Sequence, residues 1–178
     1  SENTTLSYDA AVGNLVALTD PLGNTSNLLY DAISRRVASI DALGRESTLS
    51  YDKLNRVIGA TDGLGQVTHF TYDEVGNLLS LTDAKNQTTT FSYDVMNRLE
   101  TRTDGLGQSE SFTYDLAGNL ISFTDRRGQS SQFSYDDLNR LIKETYDDGV
   151  IVARSYDSRG RLILVDDVLG GFFTFSYD

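Results

Sequence analysis

The chain has 178 residues, 15 Lys and Arg against 26 Asp and Glu, a formal net charge of −11 and no cysteine. That acidity, with basic pairs only at Arg35-Arg36 and Arg126-Arg127, argues against a nucleic-acid backbone as partner. The missing thiols remove disulfides, thiolate metal sites and cysteine nucleophiles together. No stretch approaches the ~20 apolar residues of a membrane span, and Ser1-Glu2-Asn3 opens without the charged and apolar regions of a secretory leader.

From the N-terminus onward the dipeptide Tyr-Asp returns nine times. The pairs are Tyr8-Asp9, Tyr30-Asp31, Tyr51-Asp52, Tyr72-Asp73, Tyr93-Asp94, Tyr114-Asp115, Tyr135-Asp136, Tyr156-Asp157 and Tyr177-Asp178. The first step is 22 residues and every later one is 21. A period held over a whole chain is the signature of a repeat architecture, in which each unit buries its apolar surface against its neighbours. Residues 1–178 therefore read as a single array of about eight repeats.

Within a repeat, Tyr72 to Asp94 shows the elements most clearly. Two β-prone runs, Leu78–Thr82 and Thr88–Tyr93, are separated by two turn signals of the form Asp-x-x-[Gly/Asn]. The Asp can accept backbone N–H bonds in a type I turn, and Gly or Asn in the fourth place tolerates positive φ. The turn after Tyr uses Gly13, Asn55, Gly76, Asn97, Gly118, Asn139 and Gly160, with Ser34 as the exception. The turn after Thr-Asp uses Gly23, Gly44, Gly65, Asn86, Gly107, Gly128, Gly149 and Gly170. About sixteen such turns predict seventeen short strands, from Thr4–Tyr8 to Phe173–Tyr177. Each joins the next by a tight hairpin, which permits antiparallel pairing only. The expected fold class is all-β: tandem hairpins in a continuous curved antiparallel meander, bent into a spiral, tube or shell wall because open sheets beyond roughly ten strands curl or close.

An odd period sets a parity problem. Two three-residue loops would repeat every 20 residues, so 21 requires a four-residue loop or a β-bulge. A longer loop at the Thr-Asp turn is the favoured choice. It places Leu78 opposite Tyr72 and Tyr93, Ser80 opposite Phe91, and Leu79, Leu81, Ile121, Phe123, Glu100, Arg102 and Glu144 on the face away from the aromatic row.

The pattern Tyr-Asp-x-x-Gly-[Asn/Arg]-Leu-x-x-x-Thr-Asp-x-x-Gly resembles the YD-repeat, or Rhs-repeat, family. Residues 72–94 and 114–136 carry it nearly letter for letter, and the likeness runs from Thr5 to Asp178. Departures are local: an extra residue at Ala10-Ala11, a degraded turn at Ser34-Arg35-Arg36, and an Asp displaced by one at Tyr146-Asp147-Asp148-Gly149. The resemblance implies hairpins wound spirally into a wall, as in the hollow shells of insecticidal toxin complexes, Rhs polymorphic toxins and teneurins. It implies a secreted or extracellular setting, and flanking YD repeats or copies of the chain itself as partners.

Isolated candidate sites weigh little against this pattern. Asp20-Pro21-Leu22-Gly23 resembles an element that accompanies autoproteolysis in Rhs proteins, but it stands in register with ordinary turns. His69, the sole histidine, has no Cys or His partner, and no serine has a histidine-based activating arrangement. The Asp ladder lacks the dense spacing of calcium loops, so no cofactor or metal is expected. Sequons stand at Asn3, Asn24 and Asn86. The Tyr row offers carbohydrate as a further candidate partner. The leading functional expectation is a non-catalytic wall of an extracellular or toxin-associated shell. The alternatives are a filament subunit joined head to tail through its terminal strands, and a carbohydrate- or receptor-binding module.

Overall fold

A computed structural model describes residues 3–178. It holds seventeen strands and, among the described residues, no helix. The chain falls into two compact units, one reaching Thr88 and the other running from Thr89 to Asp178.

The first unit contains β1 (Thr5–Tyr8), β2 (Leu15–Thr19), β3 (Thr25–Tyr30), β4 (Arg36–Ile40), β5 (Glu46–Tyr51), β6 (Val57–Thr61), β7 (Val67–Tyr72) and β8 (Leu78–Thr82). Strand β9 (Thr88–Tyr93) opens the second, followed by β10 (Leu99–Thr103), β11 (Ser109–Tyr114), β12 (Leu120–Thr124), β13 (Ser130–Tyr135), β14 (Leu141–Thr145), β15 (Ile151–Tyr156), β16 (Leu162–Asp167) and β17 (Gly171–Thr174). Within each unit every strand pairs antiparallel with its chain neighbours. This is the hairpin meander that the turn spacing dictates.

Both turns of the repeat close alike. After Tyr72, the Gly76 N–H donates to the Asp73 carbonyl at 3.3 Å and the Asp73 N–H to that of Asn77 at 3.0 Å. After Thr82, the Asn86 N–H donates to the Asp83 carbonyl at 2.9 Å and the Asp83 N–H to that of Gln87 at 3.0 Å. Each is a type I turn followed by a left-handed residue, a three-residue loop. The first turn absorbs its extra residue between Asp9 and Gly13, whose N–H still donates to the Asp9 carbonyl at 3.0 Å. At the Tyr146 turn, Tyr146 stands in the usual Asp place and Gly149 closes on its carbonyl at 2.9 Å.

Because both loops have the same length, the odd residue of the period cannot lie in either. The longer loop expected at the Thr-Asp turn does not form. The extra residue is a bulge at the start of the strand after each Tyr-Asp turn. Tyr72 pairs with Leu78 but Thr71 with Ser80, and the same slip recurs at Tyr30, Tyr51, Tyr93, Tyr114, Tyr135 and Tyr156. The bulge reverses part of the expected facing. Leu81 pairs with Phe70, Phe91 with Arg102, Phe123 with Phe112, and Glu144 with Phe133. Leu81, Arg102, Phe123 and Glu144 therefore share the aromatic face instead of lying opposite it.

The last hairpin also departs from the sequence reading. Positive φ falls on Gly171 (φ 97) and not on Gly170, so β17 begins at Gly171 and its regular ladder ends at Thr174. Phe175 still donates its N–H to the Ile163 carbonyl at 3.1 Å. Ala38, 6% exposed, is the single buried apolar residue among those described. A sheet of this kind distributes its packing along the ribbon and builds no central core.

Candidate functional site

The repeated polar residues converge on the Tyr-Asp turns. Each Asp caps its own turn: Asp52 Oδ1 accepts the N–H groups of Leu54 at 2.8 Å and Arg56 at 3.0 Å. This is the side-chain-to-backbone bonding that makes Asp favourable at the head of a turn. The residue four places on then ties the turn to its neighbour. Arg56 donates from Nε to Asp52 Oδ2 at 2.7 Å and from Nη1 to the Asp73 carbonyl of the next repeat at 2.6 Å. Its guanidinium carbon lies 4.8 Å over the Tyr72 ring. One side chain thus holds its own turn by an ion pair and crosses the junction with a hydrogen bond and a cation–π contact.

The same stacking joins Arg35 to Tyr51, Arg98 to Tyr114, Arg140 to Tyr156 and Arg161 to Tyr177, at 4.6 to 4.7 Å. The Tyr hydroxyl completes the link. Tyr72 Oη donates to the Val57 carbonyl at 2.9 Å, and Val57 is the residue paired with Tyr51 at the preceding bulge. Tyr30, Tyr51, Tyr135, Tyr156 and Tyr177 bond residues fifteen places earlier in the same way. Bulge, Tyr and Arg form one device, because the carbonyl at the bulge receives the phenol of the following repeat.

Where Asn replaces Arg, the reach is shorter. Asn119 Nδ2 donates to Asp115 Oδ2 at 2.9 Å and to Asn139 Oδ1 of the next turn at 2.8 Å. The carboxylates respond to these partners. The backbone N–H of Arg56, then its guanidinium, hold Asp52 below the ordinary aspartate range, and the same two donors of Arg98 and Arg161 do so for Asp94 and Asp157. The Arg140 guanidinium, then its N–H, lower Asp136.

The Tyr and Asp of this ladder are legible from their spacing, whereas the bridging role of the Arg emerges only in the fold. Its signal is present in the motif: an Asn or Arg four residues beyond the Asp of every Tyr-Asp turn from Asp31 to Asp157. Of the second-turn residues, Gly44, Gly65, Gly107, Gly128 and Gly149 have positive φ, as does Asn86 at 59°. His69 is exposed on β7, paired with Gly59 and Thr82. Asn3 and Asn86 are exposed, and Asn24 is exposed with its amide bonded to Asp20 Oδ2 at 2.8 Å. Asp20-Pro21-Leu22-Gly23 closes as an ordinary turn, Gly23 N–H to Asp20 carbonyl at 3.0 Å.

These features define an all-β repeat ribbon whose distinctive side chains bind the next repeat. The chain belongs to the Teneurin YD-shell family, whose sequence profile matches residues 16–178. Solved structures share the fold. The crystal structure of TcdB2-TccC3 is similar with a TM-score of 0.73 and 18% identity, over 92% of this chain and 10% of that one. The Photorhabdus luminescens Tc holotoxin pore is similar with a TM-score of 0.69 and 15% identity, over 92% of this chain and 12% of that one. TcdB2-TccC3 without its hypervariable C-terminal region is similar with a TM-score of 0.69 and 15% identity, over 93% and 12%. The chain spans only about a tenth of the length of these solved chains. Comparison with curated protein sequences returns no match.

Proposed function

We propose that this chain is wall material: a non-catalytic stretch of an extracellular or toxin-associated YD shell. One observation carries the reading. The repeat spends its Asp, Arg and Tyr on joining one turn to the next, with Arg56 bridging Asp52, Asp73 and Tyr72 as the pattern. Side chains committed to their neighbours make a continuous ribbon and leave the recurring chemistry of the repeat occupied. Family membership and the likeness to Tc toxin structures support the same reading. Its partners are then further YD repeats.

Electron microscopy of the polypeptide as the cell produces it tests this. The repeats should form part of a wall, continuous with neighbouring repeats through strand pairing. A free-standing module holding a sugar or receptor on its Tyr row would overturn the proposal in favour of a binding function.

A further inference from the structure

The first junction of the ladder has the frame of the others but no arginine. Where Arg35 links the Asp31 turn to the next, it donates from Nε to Asp31 Oδ2 at 2.6 Å and from Nη1 to Asn55 Oδ1 at 2.7 Å, with its guanidinium carbon 4.7 Å over the Tyr51 ring. At the junction before it, Asp9 stands for Asp31, Tyr30 for Tyr51 and Ser34 for Asn55. Tyr30 keeps the common ring position, its Oη donating to the Leu15 carbonyl at 2.9 Å as Tyr51 does to that of Arg36 at 2.7 Å. The place of Arg35 is held by Asn14. In this longer turn Asp9 Oδ1 accepts the N–H groups of Ala11 and Val12, at 2.8 and 2.9 Å. Among the described residues no side chain bonds Asp9 Oδ2, and no guanidinium lies over Tyr30.

At Asn119 the shorter side chain closes its junction by bonding both Asp115 and Asn139. At Asn14 a pocket of about 350 Å³ remains, with Asp9, Tyr30, Asp31 and Ser34 on its walls. That is the size of a small-ligand site. Val16 and Leu28 give it an apolar side on which a methylene stem can lie. We infer that this pocket binds the guanidinium of an arginine side chain brought by a polypeptide partner. Five sister junctions hold that group over the equivalent Tyr, each time on a side chain of the polypeptide. Asp9 Oδ2, the Asp31 carbonyl and the Ser34 hydroxyl accept its N–H groups while its plane rests on Tyr30, as the Asp73 carbonyl accepts Arg56 Nη1 at 2.6 Å. A lysine ammonium offers neither the plane nor the fork. The net charge of −11 attracts any basic segment, and the Tyr30 frame selects where it docks. The pocket needs only the first two Tyr-Asp turns, so it holds or fails independently of the wall.

Nuclear magnetic resonance of the full chain tests this, with the peptide acetyl-Gly-Arg-Gly-amide as probe. Resonances of Asp9, Tyr30 and Asp31 should shift and saturate at roughly millimolar peptide. The matching lysine peptide should bind roughly tenfold more weakly. Tyr30→Leu and Asp9→Asn should each weaken the arginine peptide by roughly tenfold. Asn14→Arg should supply the group from within, so that binding of the peptide is lost while the β circular dichroism spectrum is unchanged. The absence of any saturable shift would overturn the pocket. So would shifts spread evenly over the acidic turns, an equal response to the lysine peptide, or an Asn14→Arg chain that binds as wild type does. Agmatine binding where the arginine peptide does not would overturn the polypeptide partner and assign the pocket to a free base.

Discussion

The two units share their turns and differ in what lies between them. At the fourth position of the strand after each Tyr-Asp turn, the first unit places Leu18, Ser39, Ala60 and Leu81, and the second places Arg102, Phe123, Glu144 and Val165. Small residues at Ser39 and Ala60 leave a depression of about 390 Å³, lined also by Ser47, Leu49 and Thr68. In the second unit the corresponding face is filled. Phe112 and Phe123 pack tilted at 38° with centroids 5.1 Å apart, Glu110 joins Arg102 and Arg126 at 3.0 Å each, and Glu144 holds Arg154 at 3.0 Å. The bridge of Arg, Asp and Tyr is nevertheless alike in both, as at Arg56 and Arg98. The turns fix the ribbon, and the strand faces are free to vary.

The largest expected effect acts on what the units share. Asp31, Asp52, Asp94, Asp136 and Asp157 are held below the usual aspartate value of about 3.9 by their turn N–H groups and Arg partners. A carboxylate depressed in the folded state contributes stability that is complete above the unfolded value. That contribution is lost as pH falls through the folded one. Both units should therefore melt together at lower temperature below about pH 4, by more than any single substitution achieves. A thermal midpoint unchanged between pH 6 and pH 3 would contradict the ladder.

Phe123→Ala comes next, at about 2–3 kcal/mol. It removes a half-buried aromatic contact, so the loss falls short of the ~3–5 kcal/mol typical of a full core site. Glu110→Gln should cost about 1–2 kcal/mol, since it breaks two charge-assisted contacts at a carboxylate 16% exposed. Its counterpart Ser47→Ala should stay within ~0.5 kcal/mol. Gly65→Val and Gly107→Val should each cost about 1–2 kcal/mol and equally in the two units. Both have φ 80 with open space where a side chain would project, so only backbone strain is at work. One effect is favourable: Ala60→Leu should fill part of the depression and raise stability by up to ~1 kcal/mol. Denaturant midpoints measure all six variants.

The strands, turns and period were legible because each has a local cause. Asp at the head of a turn and Gly or Asn in its fourth place act within five residues. What escaped depends on distances between repeats. The bulge and the longer loop satisfy the 21-residue parity equally well, and only the identical closure of both turns decides between them. Facing followed that choice, so Phe123 and Leu81 were placed on the wrong side. Arg56 reaches a carbonyl seventeen residues away, which spacing within one repeat does not reveal. At Gly170-Gly171 either residue tolerates positive φ, and the sequence offers no preference between them.

Strands that pair only with their chain neighbours have a mechanical consequence. Within each unit, a ribbon pulled from one end gives way one hairpin at a time, as a zipper does, because each described strand is held by its chain neighbours. Each repeat that opens releases 21 residues, roughly 70 Å of extended chain. The Arg and Tyr links at each junction set the force of every step, so traction should yield a regular sawtooth, with weaker teeth where Asn119 stands in for Arg. The same property lets the polypeptide be drawn out through a narrow channel, or laid down while it emerges from one, without first dismantling the whole.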